Sequence, residues 1–247
     1  MRYKHLAHKT ARDRETLPMA LMAITPHIDD LDNFLDCCQL RHYERGTTII
    51  HAGDVPSTLF YLIKGGVSVI LEEDEHKEVV VAYLNPGDFF GEMGLFDSHK
   101  ARSACCRARF SSDIAEISYD RFNNYAHQHP DILFTIGKQM ANRLRNTTRK
   151  VGDLAFYDVT GRIARTLIEL SKEPDAVTHP DGMQIKITRQ EIGRLVNCSR
   201  ELAGRVLKTL EEQNLISVHG QTVVVFGTRQ SADSALPGNH WQTALCK

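Results

Sequence analysis

The pattern of apolar and polar positions changes character along the 247-residue chain. From about Arg41 to Asp120, short β-branched or aromatic runs follow one another: Thr47 to Ile50, Leu59 to Ile63, Val67 to Leu71, Val79 to Leu84 and Ile114 to Ser118. Gly46, Gly53, Gly65, Gly66, Gly87, Gly91 and Gly94 punctuate them. Short strands separated by turn residues predict a compact antiparallel roll or sandwich. Between Asp131 and Ala155 the period lengthens, because Leu133, Met140, Thr147 and Leu154 recur every seven residues with Gly137, Leu144 and Val151 between them. That is a coiled-coil seam of about three heptads, and it predicts a long helix paired with a second chain. Thr147 and Thr148 interrupt the apolar seam, which costs packing unless something hydrogen-bonds their hydroxyls.

A third pattern follows. Val159 to Leu170 reads as a helix, and Pro174, Pro180 and Gly182 mark a loop. Thr188 with Glu191 three residues later is a capping box, so a short helix should start at Arg189. Asn197 tolerates the left-handed conformation of a tight turn, and Ser199 then caps a second helix running to about Gln213. On that helix Ala203, Val206, Leu207 and Leu210 form one buried stripe, and Arg200, Glu201, Arg205 and Lys208 lie off it. Leu215 to Val218, the turn His219-Gly220 and Thr222 to Phe226 predict a β-hairpin, giving a winged helix-turn-helix. Arg205 suits guanine O6 and N7, Glu201 suits cytosine N4, and Arg200 stands at the helix end that enters a major groove. Arg189, Gln190 and Ser199, at the starts of the two helices, complete the DNA-facing set. A helical hairpin with a solvated charged face would share the caps; caps, turn, wing and local charge together favour DNA.

Composition sharpens this reading at several points. Apolar residues make up 42% and charged ones 25%, which excludes disorder or a fibrous repeat over the whole chain. Thirty Lys and Arg against 31 Asp and Glu give a net charge of −1, so a uniformly basic nucleic-acid coat is excluded. The balance is uneven: residues 41–120 carry −5 and residues 186–229 carry +3. No apolar run approaches the ~20 residues that span a bilayer, and no secretory segment is evident, so no membrane partner and a cytoplasmic location are expected. Cys37, Cys38, Cys105, Cys106, Cys198 and Cys246 include two adjacent pairs, which match neither a disulfide framework nor a zinc spacing. No metal is expected. His76, His99, His127, His129, His179 and His219 fall in apparent loops without HExxH spacing or a triad, so no catalytic residue is assigned. The first eighteen residues and the last eighteen, with Trp241, read as loose extensions.

A second constellation concerns a ligand. Gly87-Asp88-Phe89-Phe90-Gly91-Glu92-Met93-Gly94-Leu95-Phe96 is followed by Ala101-Arg102-Ser103-Ala104. Its glycines let the backbone approach a ligand closely and turn N–H groups toward an anion. Arg102 supplies a planar fork for two phosphate oxygens, Ser103 a hydroxyl donor, and Glu92 an acceptor for a sugar hydroxyl. A small cyclic phosphodiester with a ribose satisfies all three. Glycine-rich turns also simply turn the chain, and an Arg near a Glu is often a salt bridge, so spacing alone leaves both readings open.

The order of parts resembles a known family. A roll bearing FGEMGLF and ARSA, a seam with Thr147-Thr148, then VTGRIARTLIEL, TRQEIG and CSRELAGRVLK, is similar to the bacterial cyclic AMP receptor protein family, also called catabolite activator protein, from about Ile24 to Arg229. The resemblance implies an α+β chain: an N-terminal extension (1–20), a cyclic-nucleotide-binding β-roll (21–130), a long dimerisation helix (131–156), a C-terminal winged helix-turn-helix (157–229) and a tail (230–247). It implies 3′,5′-cyclic AMP (cAMP) as allosteric ligand, held by Gly91, Glu92, Arg102 and Ser103, with Thr147 and, from the second chain, Thr148 meeting the adenine. It also implies a homodimer on palindromic double-stranded DNA, which recruits RNA polymerase. Ala176, Val177, Thr178, His179, Pro180, Asp181 and Gly182 correspond to the surface that touches the C-terminal domain of the RNA polymerase α subunit. Gln39, Arg41 and Arg121 map to a second activating surface and Glu72 to Glu75 to a third. The chain departs from its relatives at Gln39, Cys105, Cys106, Thr148 and Asn197. A redox or metal signal through Cys37, Cys38, Cys105 and Cys106, and an enzymatic role for the histidines, are the rival readings.

Overall fold

A computed structural model describes residues 31–74, 77–97, 100–228 and 241. The expected N-terminal extension, the first residues of the roll, Glu75, His76, His99, Cys246 and most of the tail lie outside the described residues.

The front of the chain is built from β1 (Gln39–Tyr43), β2 (Thr48–Ile50), β3 (Thr58–Lys64), β4 (Val67–Asp74), β5 (Lys77–Leu84), β6 (Phe89–Phe90), β7 (Cys105–Ala108) and β8 (Ser112–Ser118). They form two antiparallel sheets, ordered β1-β8-β3-β6 and β2-β7-β4-β5. Strand β3 shows why the runs look continuously apolar. Leu59 and Tyr61 face one core cluster while Phe60 and Leu62 face another, so both faces of the strand are buried. The first cluster is closed by α1 (Leu31–Asp36), whose Phe34 meets Tyr61, Phe89 and Tyr125 edge-on at 5.8, 5.6 and 5.4 Å between ring centroids. Strands β1, β6 and β7 were not legible as runs. β1 is a largely exposed edge strand, β6 has two residues, and β7 reads Cys-Cys-Arg-Ala.

After α2 (Met93–Phe96) and α3 (Tyr119–Gln128), the long helix α4 runs from Asp131 to Phe156 over 26 residues. Its inner face carries Ile132, Ile136 and Gln139, which are buried against the roll. Leu144, Val151 and Leu154 on the seam are 68%, 61% and 56% exposed within the single chain. Met140 departs from the expected seam, for it also packs against the roll cluster.

The C-terminal part comprises α5 (Val159–Leu170), β9 (Val177–His179), β10 (Gly182–Lys186), α6 (Arg189–Val196), α7 (Arg200–Glu212), β11 (Ile216–His219) and β12 (Thr222–Phe226). Asp158 caps α5 by accepting from the Gly161 N–H at 2.8 Å. The sheet order β11-β12-β10-β9 backs a single core in which the expected stripe Ala203, Val206, Leu207 and Leu210 meets Ile163, Leu167, Ile192 and Val225. Two expectations change here. The segment 176–182, read as a loop, is a β-hairpin in which Val177, Thr178 and His179 pair with Gln184, Met183 and Gly182. Trp241, read as part of a loose tail, is buried in this core and donates its ring N–H to the Phe226 carbonyl at 3.1 Å. A lone large aromatic gains more by burial than a polar tail context suggests. His127 lies on α3, and His179 and His219 end strands, rather than in loops. Among the described residues no helix is long and apolar enough to cross a membrane, and no group of three or more His, Cys, Asp or Glu is placed to hold a metal ion.

Candidate functional site

The roll brings Gly91, Glu92 and Arg102 together. Gly91 has φ +76°, and a Cβ there would stand 2.8 Å from Arg102 Nη1 and 3.1 Å from both a Phe60 ring carbon and the Thr58 carbonyl. Only glycine fits a backbone so turned and so crowded. Arg102 enters from the segment before β7, where its own N–H donates to the Asp54 carbonyl at 2.9 Å and its carbonyl accepts from the Gly53 N–H at 2.9 Å. Its guanidinium donates through Nη1 to the Gly91 carbonyl (2.7 Å) and the Tyr119 hydroxyl (2.9 Å), and through Nη2 to the Thr58 carbonyl (2.6 Å). Three of the five N–H donors of an arginine are thereby engaged, which fixes the plane of the fork and leaves two for an anion. The Tyr119 hydroxyl also donates to the Gly91 carbonyl at 2.6 Å, and burial raises its pKa despite the adjacent guanidinium.

Glu92 is buried at 8% exposure and pairs with Arg143 of α4, Nη1 to Oε1 at 3.1 Å. Arg143 also donates to the Phe89 carbonyl and stands 3.8 Å from Asp88 Oδ1. Ser103 is exposed, and its hydroxyl reaches Met93 Sδ at 3.6 Å. Thr147 lies one helical turn beyond Arg143, hence on the same face, and it lines with Arg143, Tyr83 and Lys150 a crevice between the roll, α4 and α5. Lys150, largely buried there, donates to the Val81 carbonyl at 2.9 Å, and desolvation lowers its pKa. Thr148 stands about 100° further round the helix and is exposed.

Arg143 and Gln139 are the site residues that sequence reasoning missed. Gln139 accepts from the Phe89 N–H at 2.8 Å and donates to the Gly87 carbonyl at 2.9 Å, fastening α4 to the glycine-rich segment. A signal for both existed, since they continue the inner face of Ile132 and Ile136 at helical spacing. Gln139→Leu should strand a buried N–H and a buried carbonyl, at about 2 to 4 kcal/mol. A lowered urea midpoint with an unchanged slope would register it; an unmoved midpoint would show that water replaces the amide.

The helix-turn-helix has the expected caps. Thr188 accepts from the Glu191 N–H and Ser199 from the Leu202 N–H, both at 3.1 Å, and Asn197 is left-handed at φ 56°. Gly193 is required by the tight turn, because a Cβ there would lie 2.6 Å from the Cys198 carbonyl oxygen. The capping box is only half formed: the Glu191 carboxylate turns away to the Tyr83 hydroxyl of the roll. Arg189, Gln190, Ser199, Arg200, Glu201, Arg205 and Lys208 are all exposed. Arg189, Arg200, Glu201, Arg205 and Lys208 line one concavity of about 620 Å³ beside α7. Glu211 accepts from the Val218 N–H at 2.8 Å, which fixes the wing to α7.

The adjacent cysteines do not form a common cluster. Cys105 and Cys106 alternate across β7 into different core clusters, and desolvation pushes the Cys106 thiol up to about 12, as it does Cys38. Thiols so shifted stay protonated and are poor redox or metal groups at neutral pH.

Comparison with known proteins agrees with this arrangement. Residues 40–129 match the cyclic nucleotide-binding domain family, and residues 161–226 match the Crp-like helix-turn-helix domain family. The chain is 58% identical over 214 residues to the cAMP-activated global transcriptional regulator Vfr of Pseudomonas aeruginosa, covering 85% of this chain and 100% of that relative. It is 56% identical over 199 residues to the cAMP-activated global transcriptional regulator CRP of Salmonella typhimurium, covering 81% and 95%. A solved structure described as the c-di-GMP responsive global regulator CLP of Xanthomonas campestris shares 46% identity and a TM-score of 0.75, covering 81% of this chain and 99% of that one.

Proposed function

Because the chain belongs to the cyclic AMP receptor protein family of transcription regulators, we propose that it acts as a cAMP-gated homodimer on palindromic operators. It is a regulator, not an enzyme. In this reading Gly91, Glu92, Arg102 and Ser103 hold the ribose and cyclic phosphate, and Thr147 together with the partner's Thr148 closes over the adenine. Arg143, paired with Glu92, links the ligand loop to α4. The observation that carries the reading is that contact, because it joins the loop to the helix that bears both threonines and the exposed seam. Ordering of the seam then sets two reading helices one DNA turn apart, about 34 Å, a geometry for which this family's activator is itself a standard example.

Arg200, Glu201 and Arg205 read bases, while Arg189, Gln190, Ser199 and Lys208 hold the backbone. The hairpin bearing Ala176, Val177, Thr178, His179, Pro180, Asp181 and Gly182 meets the C-terminal domain of the RNA polymerase α subunit, in the cytoplasm where polymerase works. Within it Gly182 is buried, where a Cβ would stand 2.0 Å from the Val225 carbonyl oxygen, and the other residues are wholly or partly exposed and make contact. In the second activating surface Arg41 Nε lies 3.3 Å from Glu116 Oε2, a partner that a polymerase carboxylate would have to displace.

The test is a titration of the purified chain with cAMP, and in parallel with c-di-GMP, while binding to a palindromic operator is followed. cAMP should raise operator affinity and c-di-GMP should not; affinity unmoved by cAMP would overturn the reading. The dimer has its own test. Leu144 and Val151 would each be buried twice in a symmetric pair, at roughly 1.5 to 3 kcal/mol per side chain. Leu144→Arg with Val151→Arg should therefore sediment as a monomer at micromolar concentration and lose operator binding. A dimer that survives both substitutions would place the interface elsewhere.

A further inference from the structure

Besides the Asn85 side-chain N–H that donates to Glu173 Oε2 at 2.8 Å, two contacts tie α6 of the DNA reader to the roll, and neither touches the ligand loop or the base-reading face. In the first, the Tyr83 hydroxyl of β5 donates to Glu191 Oε1 of α6 at 2.6 Å, across 108 residues of sequence. The guanidinium carbon of Arg109 lies 3.6 Å from the Tyr83 ring centroid, with Arg109 Nη2 at 3.4 Å from Asp175 Oδ2 and 4.0 Å from Glu191 Oε1. Tyr83 packs at once against the C-terminal core and against the small cluster of Ile70, Val80 and Cys105 in the roll, as does Leu195. Burial and the neighbouring carboxylate raise the Tyr83 pKa, so its hydroxyl remains a donor. In the second contact, Glu78 accepts from Arg107 Nη1 at 2.9 Å through Oε1, while its Oε2 lies 3.1 Å from Arg194 Nη2. That oxygen is buried and the approach is off the hydrogen-bond direction, so the Tyr83–Glu191 bond is the better-directed tie.

The first contact also explains the half-formed capping box. A carboxylate at the third position of α6 would normally turn back toward the backbone N–H of its cap, a local interaction. Here Glu191 is spent on a distant strand, and helix α6 is held against the roll at its first turn. Strand β7 runs from the ligand loop to this contact: Arg102 and Ser103 precede it, Arg107 lies in it and Arg109 follows it.

We propose that Tyr83, Arg109 and Glu191 form a latch that docks the DNA reader on the roll in its DNA-competent orientation, and that β7 makes the latch responsive to the nucleotide. The proposal rests on the cAMP-gated reading above. The docked arrangement is competent because Arg200, Glu201, Arg205 and Lys208 stay exposed while α6 is engaged. These are positioning residues: they act on DNA through the orientation of α6 and, through its tight turn, of α7. If cAMP and DNA both favour the docked state, loosening the latch must be offset by more nucleotide, with little lost once nucleotide is saturating.

The experiment measures operator binding against cAMP concentration for the unaltered chain, Tyr83→Phe, Glu191→Ala and the double variant. A hydrogen bond to a carboxylate supports a shift of about tenfold. Each single variant should raise the half-maximal cAMP concentration by about that factor, while operator affinity at saturating cAMP stays within about twofold. The double variant should shift no further than either single one, because both remove the same bond. A merely structural defect in the reader would instead lower the plateau and leave the midpoint in place. An unmoved midpoint, or shifts that add, would overturn the latch while leaving the cAMP-gated reading standing. An unaltered chain that ignores cAMP would overturn both.

Discussion

Arg102→Leu should weaken cAMP binding by about 100-fold or more and abolish cAMP-dependent operator binding. The guanidinium is held beside Gly91 by fixed acceptors, the carbonyls of Gly91 and Thr58 and the hydroxyl of Tyr119. Its orientation is therefore set before the phosphate arrives, which spares the entropy that a free arginine would lose on binding. Loss of a charge-assisted fork against a partly desolvated anion costs about 2 to 5 kcal/mol. Leucine also strands the two carbonyls, so the roll itself should lose about 1 to 3 kcal/mol of stability. Calorimetry and a denaturant titration on the same variant separate the two effects. Arg102→Lys sharpens the distinction, since lysine keeps the charge without the planar fork and should recover only part of the affinity. Nucleotide affinity unchanged in Arg102→Leu would remove this residue from the site.

The second large effect is expected at Arg205. It is exposed on α7 beside Arg200 and Glu201 in the concavity next to the recognition helix. A bidentate contact to one guanine carries about 1 to 3 kcal/mol of discrimination. Arg205→Ala should cost that much on the preferred operator and relax the choice at one base pair in each half-site. In the proposed homodimer on a palindromic operator, the loss counts twice per complex. Lys208→Ala gives the contrast: a point charge near the backbone should weaken every sequence alike and flatten the salt dependence. Uniform loss for Arg205→Ala across operators would reassign it to a phosphate.

Much of the reader was legible locally because its signals are short in range. Thr188, Asn197 and Ser199 each satisfy or turn backbone within three residues of themselves, and the structure places all three as caps or a left-handed turn. The stripe from Ala203 to Leu210 follows from helical period alone, as does the seam on α4. The candidate ligand site was legible as a set of residue types, with Glu92 and Arg102 ten positions apart, but not as a geometry. Which acceptors hold Arg102 depends on Thr58 and Tyr119, 44 and 17 residues away. Strand β1 was missed because an exposed edge needs no alternation to be stable; its pairing with β8 supplies what its own residues do not.

What the chain determined by itself, then, is the kind and order of its elements, since period, caps and turn residues act between neighbours a few positions apart. The side-chain partnerships were decided only when distant segments met. Glu191 could close its own cap or reach Tyr83, Gln139 could face water or the Gly87 carbonyl, and Trp241 could trail in solvent or enter a core. In each case the local pattern offers two outcomes of similar free energy, and burial against a surface supplied from elsewhere in the fold selects one.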